Sequence, residues 1–196
     1  DIVGYSFVPV TPFAVKDFEK YDLTVIPDSV RPEYQRILNQ CAPYGLKSTP
    51  QGWEHVLFHD GDSVNDSIQK DLDGEIFTAN AGKTVYVFHT PPYGTSLDMI
   101  REPQTWERVH VGSFAVREFI ERHQPHVTLH GHIHESVDLS GGRFVEQMGS
   151  SLAMSAGNDN YASSLAILVF DLYQPASVQR VKLPSTAIGK FFSRRR

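Results

Sequence analysis

The sequence contains a single cysteine, Cys41, among 196 residues, so no disulfide can form within the chain. No apolar run approaches the roughly 20 residues that a membrane-spanning helix needs, and no signal peptide is recognisable. These absences favour a cytoplasmic protein with no membrane partner. Positive charge is not in excess either. The 18 Lys and Arg residues face 23 Asp and Glu residues, and a net charge of −5 argues against nucleic-acid binding through bulk electrostatics.

The sequence also lacks an initiator methionine. It opens with DIVGYSFVPV, an apolar run from Ile2 to Val10 that has the character of a buried strand. Because a natural N-terminus seldom begins inside a core strand, we expect the chain to be a piece of a longer protein. Its length suits one domain. We assign that domain to residues 1–189 and interpret residues 190–196 as a solvated basic tail.

The pattern of apolar and turn residues predicts a mixed α+β fold. Helices are expected at three places, which are 31–40, 62–72 with Asp62 or Ser63 as cap, and 112–124 with Ser113 as cap. Strands are expected at 53–59, 83–90 and 126–130, and in the later segments GRFVEQMGS, SLAILVFDL and SVQRVKL. Apart from the first helix, residues 11–50 show no regular pattern.

Histidines are concentrated in one segment, because five of the nine fall within residues 123–134. Within the stretch LHGHIHES, His132 and His134 follow Gly131. We expect this glycine to turn the backbone sharply and to present both imidazoles from one loop. Histidine is the commonest metal-binding side chain. An H-x-H pair by itself, however, fits a surface loop as well as it fits a metal site.

The other histidines divide into structural positions and one further candidate ligand. His123 stands late in a predicted helix, where a positive charge suits the helix dipole. His126 and His130 flank a predicted strand, and we expect structural or supporting roles for them. His89 stands at the C-terminal end of a strand, where open α/β sheets place ligand sites. The TPPYGT that follows it forces a rigid, extended exit from that strand.

Three segments together resemble the C-terminal half of the calcineurin-like metallophosphoesterase superfamily. They are VFHTPPYGTSLD, HVGSFAVREFIERHQP and LHGHIHES. The family has five blocks: D-x-H, G-D-x-x-D, G-N-H, a lone His at a strand end, and G-H-x-H. The last two match within residues 83–150. The resemblance implies part of a four-layer α/β/β/α sandwich, in which His89 and His132 bind one divalent metal ion and His134 binds the other.

The resemblance further implies hydrolysis of a phosphodiester or phosphomonoester by water that two metal ions activate, with Mn, Fe, Zn or Ni as candidates. The first three family blocks are absent from this chain, and no catalytic acid is assigned. We therefore expect one metal ion or none here, and weak or no activity from the chain alone. The place where many members carry an N-P-G turn has Gly157 but no preceding proline.

The segment FHDGDSVND, residues 58–66, echoes the G-D-x-x-D block. Its order in the chain and its spacing both differ from the family pattern. Asp and Ser residues near a helix start are explained by capping, so we interpret this segment as a helix cap.

An alternative function is a non-catalytic binding or scaffold module that retains the metal-site histidines. The sequence upstream of Asp1 would distinguish the two hypotheses, because an enzyme needs the missing blocks. For the enzyme, the expected partner is a small-molecule phosphate ester. Homo-oligomers are also expected, since truncation would leave a sheet edge and an apolar face uncovered.

Overall fold

The computed structural model describes residues 1–58, 66–158 and 163–184. Its strands are β1 (Ile2–Tyr5), β2 (Val8–Pro9), β3 (Glu19–Lys20), β4 (Tyr44–Thr49), β5 (Gly52–Leu57), β6 (Val85–Phe88), β7 (Met99–Arg101), β8 (Arg108–His110), β9 (Val127–His130), β10 (Val145–Met148), β11 (Ser151–Ser155), β12 (Ser164–Asp171) and β13 (Gln174–Pro184). Its α-helices are α1 (Arg31–Leu38), α2 (Ile68–Leu72), α3 (Glu75–Thr78), α4 (Phe114–His123) and α5 (Ser136–Leu139). The mixed α+β class is thus confirmed.

A five-stranded sheet in the order β1-β6-β9-β11-β10 forms the centre of the fold. The first four strands run parallel, and β10 pairs antiparallel with β11. Gly4, Val87 and Leu129 occupy equivalent positions on three neighbouring strands. Because parallel strands point the same way, the loops that follow β1, β6, β9 and β11 meet at one edge of the sheet.

One face of this sheet packs against α4. Tyr86 and Phe88 are almost fully buried, and both rings contact the ring of Phe119 edge-on. Ser113 caps α4 as predicted, since its hydroxyl accepts a hydrogen bond from the backbone N–H of Val116 at 2.9 Å. This packing fixes the helix start at the edge of the sheet where the β6 loop also lies.

Asp22 supports the same helix start from a distant part of the chain. Its buried carboxylate accepts hydrogen bonds from the Ser113 hydroxyl and, at 2.6 Å, from the backbone N–H of Phe114. Burial raises the pKa of Asp22 to about 6, and these donors oppose the shift. The carboxylate therefore anchors residues 21–23 to the helix.

The opposite face of the sheet is only partly covered. The β12–β13 hairpin packs Leu168 and Phe170 against the cluster around Val127. It leaves Ile2 78% exposed, and a cavity of about 560 Å³ lies beside it. The prediction of a buried strand from Ile2 to Val10 is therefore wrong, because β1 is an edge strand that ends at Tyr5.

Several element predictions match the structure and others do not. Helix α1 carries its proline in the first turn, as expected. The helix predicted over 62–72 begins only at Ile68, and its cap is Ser67, whose hydroxyl accepts from the N–H of Lys70 at 3.1 Å. The predicted caps Asp62 and Ser63 lie outside the described residues. Strand β4 forms in a region without a predicted pattern.

Some earlier predictions remain untested. The echo of G-D-x-x-D falls mostly in residues 59–65, and the basic tail falls in residues 185–196, both outside the described residues. The single domain over residues 1–189 and the four-layer arrangement stay predictions. Among the helices that the structure describes, none is long and apolar enough to cross a membrane.

Candidate metal centre

Backbone hydrogen bonds tie together the loops that carry His89 and His132. The N–H of His89, directly after β6, donates to the carbonyl of Tyr5 at 2.9 Å. The carbonyl of His89 accepts from the N–H of Gly131 at 3.1 Å. The sheet register thus continues one residue beyond the strand ends. It sets both histidine loops side by side at the C-terminal edge, where the sequence predicted His89 to lie.

The imidazole rings of His89 and His132 are in edge-on contact at this end of the sheet. Their centroids lie 5.1 Å apart with an interplanar angle of 61°. Burial is the main cause that lowers the pKa of His132 to about 4, and the nearby rings of His89 and His134 also lower it. The pKa of His89 is also lowered, mainly because part of its ring is buried and secondly because His134 is near. The residue as a whole is nevertheless exposed. A lowered pKa favours the neutral imidazole, which is the form that binds metal ions.

The sharp turn in this loop lies at His132 and not at Gly131. His132 has a φ of 65°, in the left-handed region that few residues with a β-carbon adopt. Gly131 has no positive φ, and a β-carbon there would make only ordinary contacts with His89. The prediction that Gly131 turns the backbone is therefore wrong. Backbone strain of this kind concentrates at functional sites, so its location at His132 favours a functional role for this imidazole.

His134 lies on the exposed side of the same loop. Its carbonyl accepts a hydrogen bond from the N–H of Asn158 at 2.8 Å, and this bond ties the loop to the segment after β11. Gly157 has a φ of 55°, and a β-carbon there would come within 2.6 Å of the Val137 side chain. Gly157 is thus required by both conformation and space.

His130 has the supporting role that we expected. Its Nδ1 donates to the carbonyl of Thr90 at 2.9 Å, and its Nε2 accepts from the hydroxyl of Thr128 at 2.8 Å. Burial lowers its pKa to about 4. Both nitrogens are occupied, so His130 has no lone pair for a metal ion. It links β9 to the residue that follows His89.

His123 and His126 also have structural positions. His123 ends α4, and its ring lies 4.9 Å from the ring of Phe119. The Nε2 of His126 donates to the carbonyl of Leu172 at 2.8 Å. Neither belongs to the imidazole pair at the sheet edge.

A buried carboxylate that the sequence analysis missed organises the loop after His89. Asp98 is 0% exposed and accepts hydrogen bonds from the backbone N–H groups of Gly94, Thr95 and Gly112 at 2.9–3.0 Å. It also accepts from Nδ1 of His110 at 2.7 Å, and this bond raises the pKa of His110. The only signal in the sequence is the order of residues: Asp98 stands seven residues after Pro91, and His110 follows it shortly before helix α4. That pattern is too common to be interpreted alone.

The described residues fit a metal ion only in part. His89 and His132 form a pair of imidazoles, and His134 is near enough to lower the pKa of both. Yet across residues 1–58, 66–158 and 163–184 no group of three or more His, Cys, Asp or Glu side chains is placed to hold a metal ion. A bimetallic centre needs bridging carboxylates, and these residues do not supply them. The described residues alone therefore do not account for a hydrolytic step.

Comparison with known proteins gives one structural match. A solved crystal structure is similar to this chain with a TM-score of 0.41 and 18% sequence identity, over 92% of this chain and 48% of that protein. The chain thus spans about half the length of the structure that it matches. No protein-family model matches the chain, and no curated protein matches it. Membership of the metallophosphoesterase superfamily accordingly stays a prediction.

Proposed function

We propose that this chain contributes His89, His132 and His134 as metal ligands to a metal-dependent phosphoesterase. The observation that carries the proposal is the convergence of His89 and His132, from two different strand ends, into a pair with ring centroids 5.1 Å apart. The strained backbone of His132 supports it. So do the lowered pKa values of both rings and the order of segments that resembles the superfamily.

The residues present have limited parts in this function. His89 and His132 would hold one ion, and His134 would contribute to a second position. His130 and Asp98 would keep the two loops in place. A divalent ion at this edge would supply positive charge to the oxygens of a phosphate ester. The remaining ligands, carboxylates above all, would come from residues other than those described. The two ions of the complete centre would be Mn, Fe, Zn or Ni, and this chain alone would hold one or none.

A second candidate is a non-catalytic binding or scaffold module. It is favoured by one observation, which is that the described residues form no three-ligand group. In such a module His89 and His132 would be retained, but the protein would catalyse no reaction.

Hydrolysis of an aryl phosphodiester distinguishes the two functions. The protein encoded by the complete reading frame should cleave bis(4-nitrophenyl) phosphate when Mn²⁺ is supplied, and His132→Ala should abolish cleavage while leaving the circular dichroism spectrum unchanged. His126→Ala is the matched control, because His126 is bonded to Leu172 and is not a member of the pair. Unchanged turnover in His132→Ala would reject the assignment of His132 as a ligand of the catalytic metal ion. Absence of turnover in the unmutated protein would favour the binding module.

The same proposal includes a small-molecule phosphate ester as partner and a cytoplasmic location. The single cysteine supports this location, because a secreted protein of comparable size would commonly carry disulfides. The negative net charge supports a substrate other than a nucleic acid.

A further inference from the structure

Trp106 is a bulky, exposed residue in a backbone conformation that suits glycine. It lies in the loop between β7 and β8, where it has a φ of 62° and is 69% exposed. Its N–H donates to the carbonyl of Glu102 at 2.8 Å, and the N–H of Glu102 donates to the carbonyl of Glu107 at 2.9 Å. These bonds close the hairpin with a left-handed residue at position 106. A tryptophan there strains the backbone, and such strain is concentrated at functional sites.

The carboxylate of Glu102 holds this loop in shape from within the hairpin and from α1. It accepts hydrogen bonds from the hydroxyl of Thr105 and from the side-chain amide of Gln40. The guanidinium of Arg36 in α1 lies 3.8 Å from the same carboxylate. A strained residue persists only where its surroundings fix it. Glu102 therefore fixes the loop that presents Trp106.

Two exposed arginines lie directly opposite each other on the strands that lead to this loop. Arg101 of β7 pairs with Arg108 of β8 in the antiparallel ladder, so both side chains extend from the same face of the hairpin. Like charges placed opposite each other destabilise a sheet. The arginines that form ion pairs in the described part of the chain are Arg31, Arg36, Arg117 and Arg122. Within residues 1–58, 66–158 and 163–184, Arg101 and Arg108 therefore have no carboxylate at ion-pair distance.

Arg101 also connects the charged pair with Trp106. Its guanidinium carbon lies 6.0 Å from the centroid of the Trp106 ring, and its Nη1 donates to the Trp106 carbonyl at 3.0 Å. The indole and both guanidinium groups therefore lie on the same side of the hairpin. Glu102 and Glu107 form the next pair of the ladder, and alternation along a strand places their side chains on the opposite side. An exposed aromatic ring beside two cations suits a ligand that joins a flat ring to an anion.

We propose that Trp106, Arg101 and Arg108 form a binding site for a small phosphate-bearing ligand with a flat aromatic ring, as in a mononucleotide. The ring of the ligand stacks on the exposed indole of Trp106, as bases stack on aromatic side chains elsewhere. Its phosphate accepts hydrogen bonds from the two guanidinium groups, whose planar N–H groups match phosphate oxygens. The charge of the phosphate also removes the repulsion between the two arginines. This inference does not depend on metal binding or catalysis.

Quenching of Trp106 fluorescence by AMP tests this site. Trp53→Phe leaves Trp106 as the only tryptophan, and a chelator keeps metal ions out of the titration. AMP should quench the fluorescence saturably. Adenosine lacks the phosphate, and ribose 5-phosphate, measured by competition with AMP, lacks the ring. Each should bind at least about tenfold more weakly than AMP, because each keeps only one of the two kinds of contact.

Variants of the three residues separate binding from folding. Trp106→Gly removes the ring and also relieves the strained backbone. Calorimetry should therefore show that AMP binding is lost, while resistance to unfolding in urea is kept or raised. Arg101→Gln and Arg108→Gln should each weaken AMP binding at least about tenfold and change adenosine binding by less than about twofold. Arg143→Gln is the matched control, because Arg143 is an exposed arginine outside the hairpin.

Loss of AMP binding in a Trp106→Gly variant that resists urea at least as well as the parent supports the site. Failure of AMP to bind the parent, or binding that survives Trp106→Gly, overturns it. So does a loss in Arg101→Gln and Arg108→Gln no larger than that in Arg143→Gln. A single-stranded oligoadenylate that binds far more tightly than AMP would overturn a small molecule as the ligand.

Discussion

Replacement of His132 by glycine should give a more stable protein than replacement by alanine. The φ of His132 is 65°. A left-handed residue with a β-carbon costs roughly 1–2 kcal/mol, and this strain is present in the alanine variant but absent from the glycine variant. Glycine also makes the unfolded chain more flexible, which offsets about 0.4–1 kcal/mol of the gain. The net advantage of His132→Gly over His132→Ala should therefore lie at roughly 0–1.6 kcal/mol in the free energy of unfolding, with a midpoint of about 0.8 kcal/mol.

Urea unfolding followed by circular dichroism, with a chelator present, measures this difference. Both variants lack the imidazole, so effects of metal binding and of burying the ring cancel between them. The pair His134→Gly and His134→Ala is the matched control. His134 has no positive φ, and there alanine should be the more stable by about 0.4–1 kcal/mol. If His132→Ala proves as stable as His132→Gly, the left-handed backbone at His132 carries no strain and the reasoning fails.

Three further changes test the fold around the site. The pKa of Asp22 lies at about 6 in the folded protein, above its usual 3.8. The carboxyl of Asp22 therefore binds its proton more tightly in the folded protein than in the unfolded chain. As pH rises from about 4 to above 6, the free energy of unfolding of the parent should fall by roughly 3 kcal/mol relative to that of Asp22→Asn. A pH-independent difference in unfolding free energy would contradict this. Gly157→Ala should lower the free energy of unfolding by about 1–3 kcal/mol, because Gly157 has a positive φ and a β-carbon there would collide with Val137. No change in urea unfolding would contradict this conformation of Gly157. Ile120→Ala, at a fully buried site, should cost about 2–5 kcal/mol in thermal or urea unfolding, whereas a change below 1 kcal/mol would mean that α4 is loosely packed.

The sequence predicts the elements whose signals are local. Ser113 precedes an amphipathic run and caps α4, and Pro32 stands in the first turn of α1. His89 lies at a strand end because Pro91 and Pro92 prevent the strand from continuing. These features depend on residues a few positions apart, so the pattern alone suffices.

Features that depend on distant residues could not be predicted in this way. Asp22 is 91 positions from Ser113, and nothing in either neighbourhood indicates their hydrogen bond. The opening run Ile2–Val10 has the composition of a buried strand, but the sheet order makes β1 an edge strand. The turn at His132 was assigned to Gly131, because glycine is the usual left-handed residue. A histidine adopts that conformation here in a loop fixed by bonds to His89 and Asn158.

The most direct test of the central claim is whether His89 and His132 hold the same metal ion. Zn²⁺ titration calorimetry on the chain, on His89→Ala, on His132→Ala and on the double variant forms a double-mutant cycle. If one ion is shared, each single change should remove binding as completely as both together, with at most one ion bound to the parent chain and His126→Ala unaffected. Binding that survives in either single variant, or losses that add in the double variant, would contradict the shared site.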